Sequence, residues 1–378
     1  VLLYDQFEDS VPLKELPRYV ALTNKKGEFS ITNIANGKYK LFAISDINSN
    51  YLFDLPNEAI GFKNEIITLD SSKTENFISL FEEESELQFI VKSEHKYYGK
   101  IDFTLNSPTK DLNIIPLNKT FNEQLENWSI MEANNSGDSV TLWLYPEAFD
   151  KEIELLIKDG NEIIDTVNFE VIAQSKLKDS TLSVSSNVSS SFGLDQNIRL
   201  AINHPFTKYS SNNIKLYEDS TLVSITSFTD IGLRVFELAY DFKENTSYQL
   251  FIPKNSFEDM YGLTNNTIKL DFKTKKESDY GIINLNIIPR FSENYIIQIS
   301  KNKKIITESH LTGTQEIHYK YLSPGVYSLK LIIDSNGDKK WNTGNYLEGL
   351  QPEKVIIYNK EIKIRANWDN DIKWLIKE

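Results

Sequence analysis

The chain has 378 residues, of which 54 are acidic and 41 are basic, giving a formal charge of -13 at pH 7. This charge repels phosphate backbones and argues against nucleic acid as a partner. The absence of cysteine excludes disulfides, thiol nucleophiles and thiolate metal sites. The length exceeds that of one ordinary hydrophobic core, so three or four small domains are expected.

Strands are predicted along the whole chain, because apolar and polar residues alternate with a period of two in many segments. Clear examples are residues 86–91, 139–144 and 266–272. The best helical candidates are short, at residues 74–84 and 146–150. With 19 Tyr and 21 Phe but only 2 Met, packing depends on aromatic and β-branched side chains, which suit pleated strands. The expected fold class is therefore all-β, as tandem β-sandwich domains.

An internal repeat relates the two ends of the chain. Residues 29–41 align without gaps on residues 317–329, an offset of 288. The same offset continues through an Asp/Asn-rich loop at each end and pairs Gly61 with Gly349. Each copy contains a strand, a tight turn at Asn-Gly or Pro-Gly, and a second strand that ends in an Asp. The first and last domains are thus predicted to share one sandwich topology.

Four domains follow from this repeat and from the polar stretches between strand-rich segments. The two copies are expected at residues 1–75 and 276–378, with Ig-like sandwiches at 76–175 and 176–275 between them. Residues 280–289 are predicted to form a strand of the last domain that has no counterpart in the first. The missing strand, with any leader or lipid-bearing residue, is expected upstream of Val1.

Two segments resemble known families. Residues 27–41 resemble the core of the carboxypeptidase-regulatory-like, or transthyretin-like, β-sandwich family. Residues 197–274 resemble the bacterial Ig-like domain found in surface-layer and cell-surface proteins. The residues that carry this second resemblance are Phe206, Tyr248, Gln249, Leu250, Asp259, Met260, Tyr261, Gly262, Phe272, Lys273 and Thr274.

The order of these domains, together with the closing segment from Trp368 to Trp374, resembles Ig-like surface lipoproteins of bacteria that have an outer membrane. The resemblance implies an exported protein of the outer membrane, displayed at the cell surface. It also implies that the membrane is reached only through a lipid anchor upstream of residue 1. It says more about location than about activity.

Calcium is the metal ion predicted for the two Asp/Asn-rich loops, because each carries oxygen side chains at positions 1, 3, 5 and 9 of a calcium-type loop. Only two of the four side chains in each loop are carboxylates, which predicts modest affinity. The alternative is an Asx-rich turn that binds no ion. The predicted ligands are Asp46, Asn48, Asn50 and Asp54 in the first loop and Asp334, Asn336, Asp338 and Asn342 in the second.

Both loops depart from the EF-hand pattern. Position 6 is Tyr51 or Lys339 instead of Gly, and position 12 is Asn instead of the bidentate Glu. Glu58 and Glu348 are the candidate substitutes for that last ligand.

Motifs of catalysis are absent from the sequence, so no catalytic residue and no bound organic cofactor is predicted. The four histidines show no HExxH spacing, and there is no GxSxG or GxxxxGK[ST] motif. His318 alternates with Ile317 and Tyr319, which predicts a solvent-facing strand residue. The histidines are His95, His204, His310 and His318.

Each tryptophan has two possible roles. An exposed ring could stack on sugars or anchor a protein partner, whereas a buried ring only packs. Core packing is predicted for Trp143, which lies within an alternating strand. Trp368, Ile372 and Trp374 have even spacing, which places them on one face of a closing strand. A buried strand is the preferred reading and a binding stripe the alternative.

The functional hypothesis is a non-catalytic, exported scaffold or accessory subunit of an outer-membrane complex for protein assembly or secretion. Its expected partners are an outer-membrane β-barrel or other proteins of a membrane complex. The alternative is a carbohydrate-binding or adhesive surface protein, which requires an exposed aromatic platform. An enzyme would require a cleft with perturbed titratable groups at a domain boundary.

Overall fold

Strands make up most of the regular structure. The computed structural model describes residues 1–70, 74–85, 87–118, 127–177, 181–289 and 293–376. Helices in these residues are limited to α1 (Val11–Lys14) and three 3-10 turns at Pro146–Ala148, Gln174–Lys176 and Glu277–Asp279. The predicted class of tandem β-sandwich domains is therefore confirmed.

The first domain is built on one sheet whose two faces are both covered in part. The strand order is β2-β1-β3-β4-β6, with β5 also paired to β3. Leu3 and Leu41 point to one face, while Leu2 and Phe42 point to the other, as the period of two requires. The strands are β1 (Leu2–Tyr4), β2 (Tyr19–Val20), β3 (Gly37–Ile44), β4 (Ala59–Phe62), β5 (Ile67–Leu69) and β6 (Phe81–Glu82).

The second domain packs two antiparallel sheets around a core of branched and aromatic residues. The sheets have the orders β10-β11-β8-β7 and β13-β12-β9. The strand predicted at 139–144 matches β11, whereas the strand predicted at 86–91 begins only at Ile90, and Glu86 lies outside the described residues. The strands are β7 (Ile90–Tyr97), β8 (Lys100–Leu105), β9 (Leu112–Pro116), β10 (Ser129–Ala133), β11 (Ser139–Leu144), β12 (Glu152–Asp159) and β13 (Glu162–Glu170).

The third domain has a sheet of order β14-β16-β21-β20, a sheet of order β15-β24-β22-β18-β19 and a small ribbon of β17 with β23. Aromatic rings such as Phe236 and Phe257 fill the space between them, with ring centroids 4.7 Å apart. The strands are β14 (Val184–Ser186), β15 (Ser191–Phe192), β16 (Ile198–Ile202), β17 (Phe206–Tyr209), β18 (Lys215–Glu218), β19 (Thr221–Val223), β20 (Ser227–Asp230), β21 (Val235–Ala239), β22 (Ser247–Ile252), β23 (Phe257–Asp259) and β24 (Ile268–Thr274).

The last domain packs a sheet of order β28-β25-β32 on a sheet of order β27-β26-β29-β30, with β31 also paired to β29. The strand predicted at 280–289 is confirmed as β25, whose inward residues are fully buried. The strands are β25 (Gly281–Ile288), β26 (Asn294–Lys301), β27 (Lys304–Thr312), β28 (Gln315–Leu322), β29 (Gly325–Asp334), β30 (Val355–Ile357), β31 (Ile362–Ile364) and β32 (Asp369–Leu375).

The repeat between the two ends is visible in backbone conformation as well as in sequence. Asn33 and Tyr321, which differ by 288, both have positive φ, at 59° and 58°. Tyr39 and Tyr327 both donate their hydroxyls to the carbonyl four residues earlier, over 2.9 and 2.7 Å. The same side chains therefore build the same corner before β3 and before β29.

The offset changes from 288 to 295 after the Asp/Asn loop. Gly37 pairs with Leu69 in the first domain, and Gly325 pairs with Ile364 in the last. Gly37 and Gly325 differ by 288, whereas their partners Leu69 and Ile364 differ by 295. Seven extra residues therefore lie between the loop and β30, within an extra segment at residues 343–352. The predicted pairing of Gly61 with Gly349 is wrong, because Gly61 lies in β4 while Gly349 lies in a turn within the extra segment.

The two helix predictions had different outcomes. A 3-10 turn at Pro146–Ala148 falls within the segment predicted at 146–150. The helix predicted at 74–84 is wrong, since residues 74–80 have no helical structure and Phe81–Glu82 form β6. Residues 74–80 pass directly over Gly61, where no Cβ would fit, so tertiary contact overrides local propensity. No helix among the described residues is long and apolar enough to cross a membrane.

Candidate functional site

The first Asp/Asn loop connects β3 to β4 and is closed by hydrogen bonds of its own side chains. Asp46 accepts hydrogen bonds from the backbone N–H groups of Asn50, over 3.1 Å, and Tyr51, over 2.9 Å. The side-chain amides of Asn48 and Asn50 donate to Asp54 over 3.1 and 2.8 Å. The four predicted ligands of this loop therefore lie together.

The second Asp/Asn loop connects β29 to β30 and follows the same pattern. Asp334, which is 3% exposed, accepts a hydrogen bond from the backbone N–H of Gly337 over 2.7 Å. The side-chain amide of Asn342 donates to Asp338 over 3.0 Å and accepts from that of Asn336 over 3.2 Å. The predicted ligands of the second loop are also brought together.

A buried glutamate holds each loop closed from the domain side. Glu58 accepts hydrogen bonds from three backbone N–H groups of the first loop, over 3.0 to 3.2 Å. Glu353 accepts two from the second loop, over 2.7 and 3.1 Å. Buried carboxylates need such partners, and charge-assisted bonds of this kind are stronger than neutral ones.

Glu353, and not Glu348, is the counterpart of Glu58. Ten residues separate Asn342 from Glu353, where three separate Asp54 from Glu58. Glu348 is exposed and lies within the extra segment. An ungapped alignment therefore missed Glu353. Aligning β5 with β31, which share an apolar-polar-apolar pattern, would have revealed the seven added residues.

Each loop gathers two carboxylates and two amides, a set of hard oxygen donors of the kind that calcium takes. Hydrogen bonds already link these groups, and the bond from the Asn342 side chain lowers the pKa of Asp338. An ion would require the Asn side chains to reorient, because the side-chain oxygens of Asn48, Asn50 and Asn336 already accept hydrogen bonds from backbone N–H groups. Among the described residues, no three His, Asp or Glu side chains are placed to hold a metal. The amide oxygens would therefore have to complete the coordination shell.

Tyr346, in the extra segment of the last domain, packs into the first domain. Its ring makes edge contacts with Phe42 and Phe62, with centroids 5.4 and 5.0 Å apart. Tyr346 is only 6% exposed, and burial raises the pKa of its hydroxyl. Gly344 lies against the Phe81 ring, where an added Cβ would come within 2.7 Å. The extra segment therefore serves as an anchor between the two ends of the chain.

Hydrogen bonds on both sides of Tyr346 reinforce this contact. Thr343 donates its hydroxyl to the Glu82 carbonyl over 2.6 Å, and the Tyr346 backbone N–H donates to Glu83. Gln351 donates its amide to the Phe62 carbonyl over 3.0 Å. The contact thus combines a buried ring with polar groups that fix its register.

Trp143 lies at the contact between the second and third domains. Its indole N–H donates to Glu132 over 2.9 Å, and Arg234 of the third domain donates to the same carboxylate over 2.7 Å. The Arg234 guanidinium also lies 5.2 Å from the Trp143 ring centroid. Trp143 is buried, as predicted, but between two domains and not in the core of its own.

A buried His204–Asp259 pair lies beside Trp143. Nδ1 of His204 is 2.7 Å from Asp259, whose other oxygen accepts hydrogen bonds from the backbone N–H groups of Tyr261 and Leu263. The imidazole contacts the Trp143 and Tyr261 rings edge-on. Among the described residues, no Ser or Thr hydroxyl lies within hydrogen-bond reach of His204. The pair is therefore not part of a Ser-His-Asp triad among the described residues, and His204 lines a cavity of about 250 Å³ together with Trp143 and Arg234.

Tyr280 links the third and last domains. Its hydroxyl accepts a hydrogen bond from the backbone N–H of Leu194 over 3.1 Å, and burial raises its pKa. The backbone N–H of Glu277 donates to Glu244 of the third domain over 2.8 Å. Contacts therefore join the second to the third domain, the third to the last, and the last to the first.

The tryptophans near the end of the chain do not share one environment. Ile372 and Trp374 are 9% and 7% exposed on the inner face of β32, as predicted. Trp368 precedes that strand and is 57% exposed, so its predicted place on the same buried face is wrong. Trp341 is 47% exposed in the second Asp/Asn loop. His318 is exposed on β28, in agreement with the prediction.

Comparison with known proteins gives no family assignment. No family model matches the sequence, and no curated protein matches it. A structure of titin domains z1z2 in complex with telethonin is 9% identical over 51% of this chain and 97% of that chain, with a TM-score of 0.17. Surface layer protein SbsC, domains 4–9, is 10% identical over 89% and 60%, with a TM-score of 0.25. Immunoglobulin domains 1–5 of Sidekick-1 are 7% identical over 84% and 66%, with a TM-score of 0.16. These are distant resemblances, and the fold assignment rests on the sheets themselves.

Proposed function

We propose that this protein is a non-catalytic, exported scaffold or accessory subunit of an outer-membrane protein complex. The observation that carries this proposal is the insertion of Tyr346 between Phe42 and Phe62, which joins the two ends of the chain. A string of sandwiches whose ends are joined presents its faces in a defined arrangement. A scaffold acts through such surfaces, and the resemblance to surface lipoproteins supports the proposed location.

The polar groups at the domain contacts also support a structural role. Glu132 is shared by Trp143 and Arg234 across the boundary of the second and third domains. His204 is enclosed by aromatic rings and held by Asp259. His204 also lines a cavity of about 250 Å³ between the two domains, together with Trp143 and Arg234.

Affinity purification of the tagged protein from native membranes tests the proposal. The expected result is co-purification of an outer-membrane β-barrel or another membrane-complex protein in stoichiometric amount. His318→Gln, at an exposed position of β28, should leave this association unchanged, while Tyr346→Ala should weaken it by releasing the first domain from the last. The proposal fails if no partner co-purifies, or if one polar substitution abolishes activity while folding and association persist.

Calcium binding is proposed as an accompanying property of the two Asp/Asn loops. The gathering of Asp334, Asp338 and the two Asn amides in one loop supports it, because an ion would relieve the repulsion between the carboxylates. The second loop immediately precedes the segment that carries Tyr346. An ion there would stiffen the base of this anchor and stabilise the contact between the ends of the chain.

Carbohydrate binding has weaker support. Its candidate rings, Trp341 and Trp368, lie near opposite ends of β29. Trp341 follows the end of that strand, and Trp368 follows β31, which pairs with its start. Nine steps along this strand span about 30 Å, so the two rings do not form one platform. The Arg365 guanidinium also lies 5.1 Å from the Trp368 ring centroid, which covers part of that ring.

A further inference from the structure

The cavity of about 250 Å³ between the second and third domains is lined by side chains from both of them. The second domain contributes Lys100 of β8 and Trp143 of β11. The third contributes His204, which follows β16, and Arg234, which precedes β21. Small-molecule sites often lie at such domain contacts. The cavity exists only where the two sandwiches meet, so anything bound there would contact both.

The wall of this cavity is cationic. Lys100, Lys176 and Arg234 line it, and none of the described residues that line it is Asp or Glu. This is unexpected in a chain that has 54 acidic and 41 basic residues. Asp102 and Glu132 pair with Lys100 and Arg234 from outside the lining. The groups that a ligand would meet are therefore positively charged, and they favour an anion.

Two of the lining cations keep donors that are not used within the protein. Arg234 donates from Nε to Glu132 over 2.7 Å and from Nη1 to the Ile202 carbonyl over 3.2 Å. Its Nη2 group has no partner among the described residues, and neither has the ammonium group of Lys176. A guanidinium edge and an ammonium group are thus available to a carboxylate, with which they form charge-assisted hydrogen bonds.

His204 offers one further polar atom. Its Nδ1 lies 2.7 Å from the Asp259 carboxylate, which can only accept, so the hydrogen is assigned to Nδ1. Nε2 has no partner among the described residues and is not fully buried, although the residue is only 9% exposed. The ring is therefore reached through the cavity that it lines. In the neutral imidazole, Nε2 accepts a hydrogen bond, for example from a ligand hydroxyl.

Aromatic side chains complete the wall. Trp143 and Tyr98, which are 2% and 4% exposed, both line the cavity. The charged ends of Lys100 and Arg234 lie 5.6 and 5.2 Å from the Trp143 ring centroid, so cationic and aromatic surfaces adjoin. An apolar cavity of about 150 Å³ holds benzene. The larger volume here has room for a six-membered ring that carries a carboxylate.

We propose that this cavity binds a small organic anion, a carboxylate carried on a six-membered ring. The carboxylate accepts from Nη2 of Arg234 and pairs with Lys176, while the ring lies against Trp143 and Tyr98. Two sources share this chemistry, an aromatic acid and an acidic sugar. Because both domains hold the ligand, its binding fixes the second domain against the third. This site goes beyond the scaffold function proposed above and does not depend on it.

Calorimetric titration of the full chain with benzoate, and separately with glucuronate, tests the proposal. Benzamide and glucose are the matched neutral compounds. At least one acid should bind about ten-fold or more tightly than its neutral counterpart, because only the acid makes charge-assisted bonds. The acid that binds more tightly identifies the source of the ring. The same acid should raise the melting temperature of the protein.

Two variants locate the binding. Lys176→Glu, at an exposed position, should weaken the acid by about ten-fold or more, since it replaces attraction by repulsion. Lys304→Glu, exposed in the last domain, changes the net charge equally and should have no effect. Arg234→Gln should also weaken binding. Because it removes the contact with Glu132 as well, its folding is checked by thermal unfolding.

Several results would overturn the proposal. They are the failure of both acids to bind, equal binding of an acid and its neutral counterpart, and equal effects of Lys176→Glu and Lys304→Glu. Full affinity in a folded Arg234→Gln variant would also overturn it. Co-purification from membranes is measured without added acid, so the scaffold proposal stands or falls independently.

Discussion

The first and last domains share a hairpin, a tyrosine corner and an Asp/Asn loop, yet their cores are completed in different ways. The last domain fills its second sheet with its own β25 and buries 17 residues in one cluster. Among the described residues, the buried cluster on the equivalent face of the first domain consists of Leu3, Tyr39 and Leu41. Its opposite face is completed by Tyr346, which belongs to the last domain.

This difference shows that the same strands and turns can be covered by different parts of the chain, since Tyr346 of the last domain packs on Phe42 and Phe62 of the first. Apolar area that stays in contact with water forgoes a stabilisation of about 25 cal/mol per Å². One face of the first domain therefore depends on Tyr346 of the last domain for its cover. The predictions below test that dependence.

The largest effect is expected from Tyr346→Ala. Removing the ring leaves a cavity against Phe42, Phe62 and Phe81, which should destabilise the first domain by about 3–5 kcal/mol. Segment-resolved hydrogen exchange in denaturant would show the first domain opening before the last. The exposed neighbour substitution Leu347→Ala should cost less than about 0.5 kcal/mol.

Tyr346→Phe sharpens this result, because the buried hydroxyl has no hydrogen-bond partner among the described residues. Its removal should leave stability unchanged or raise it. A loss as large as that of the Ala variant would show that the hydroxyl, and not the ring, holds the two domains together.

The next effect concerns the glutamates behind the two loops. Glu58→Gln should cost about 1–3 kcal/mol, because it turns an acceptor of three backbone N–H groups into a group with its own N–H donors. Glu353→Gln should cost less, since Glu353 accepts two. Urea unfolding of the three proteins measures the difference. Glu348→Gln is the matched exposed control, and an effect as large as that of Glu353→Gln would contradict the assignment.

Calcium should raise the melting temperature through the second loop more than through the first. The second loop has Asp338 where the first has Asn50, although Asp54 in place of Asn342 partly restores the charge of the first. Thermal unfolding with calcium or chelator, on the parent and on Asp334→Ala with Asp338→Ala, measures this linkage. Asp338→Asn is the milder variant, since it makes position 5 the same in both loops. An unchanged parent melting temperature in the two solutions would reduce both loops to Asx-rich turns.

The smallest effect is the pH dependence that Asp338 contributes to the stability of the last domain. The hydrogen bond from Asn342 lowers the pKa of Asp338 below its ordinary value. The folded state is therefore stabilised above the unfolded pKa of about 3.9, and this contribution is lost as the pH falls through the folded pKa. Comparing acid unfolding of the parent with Asp338→Asn isolates the contribution. The variant should lose less stability than the parent at acidic pH, and identical curves would contradict the shift.

Local features of this protein were predictable because they depend on neighbours in sequence. The alternation at 139–144 matches β11, and the shared turn residues of the repeat place the corners before β3 and β29. The side chains of the Asp/Asn loops lie together because a tight turn brings alternate residues to one side. Calcium binding at these loops and the outer-membrane partners remain predictions.

The features that were missed depend on distant parts of the chain. The helical pattern at 74–84 yields to packing across β4, and Glu353 is displaced from its expected place by seven added residues. Trp143 was predicted to pack in the core of its own domain, yet it lies with His204 at the contact of two domains.

Sequence alone determined the strand periods, the turns and the repeat, because hydrogen bonding and φ preferences act over a few residues. Tertiary structure decided which parts of the chain cover each sheet. The burial of Tyr346 against Phe42 and Phe62 depends on which surfaces meet after folding, and hydrophobic contact carries no record of its partner in the local pattern.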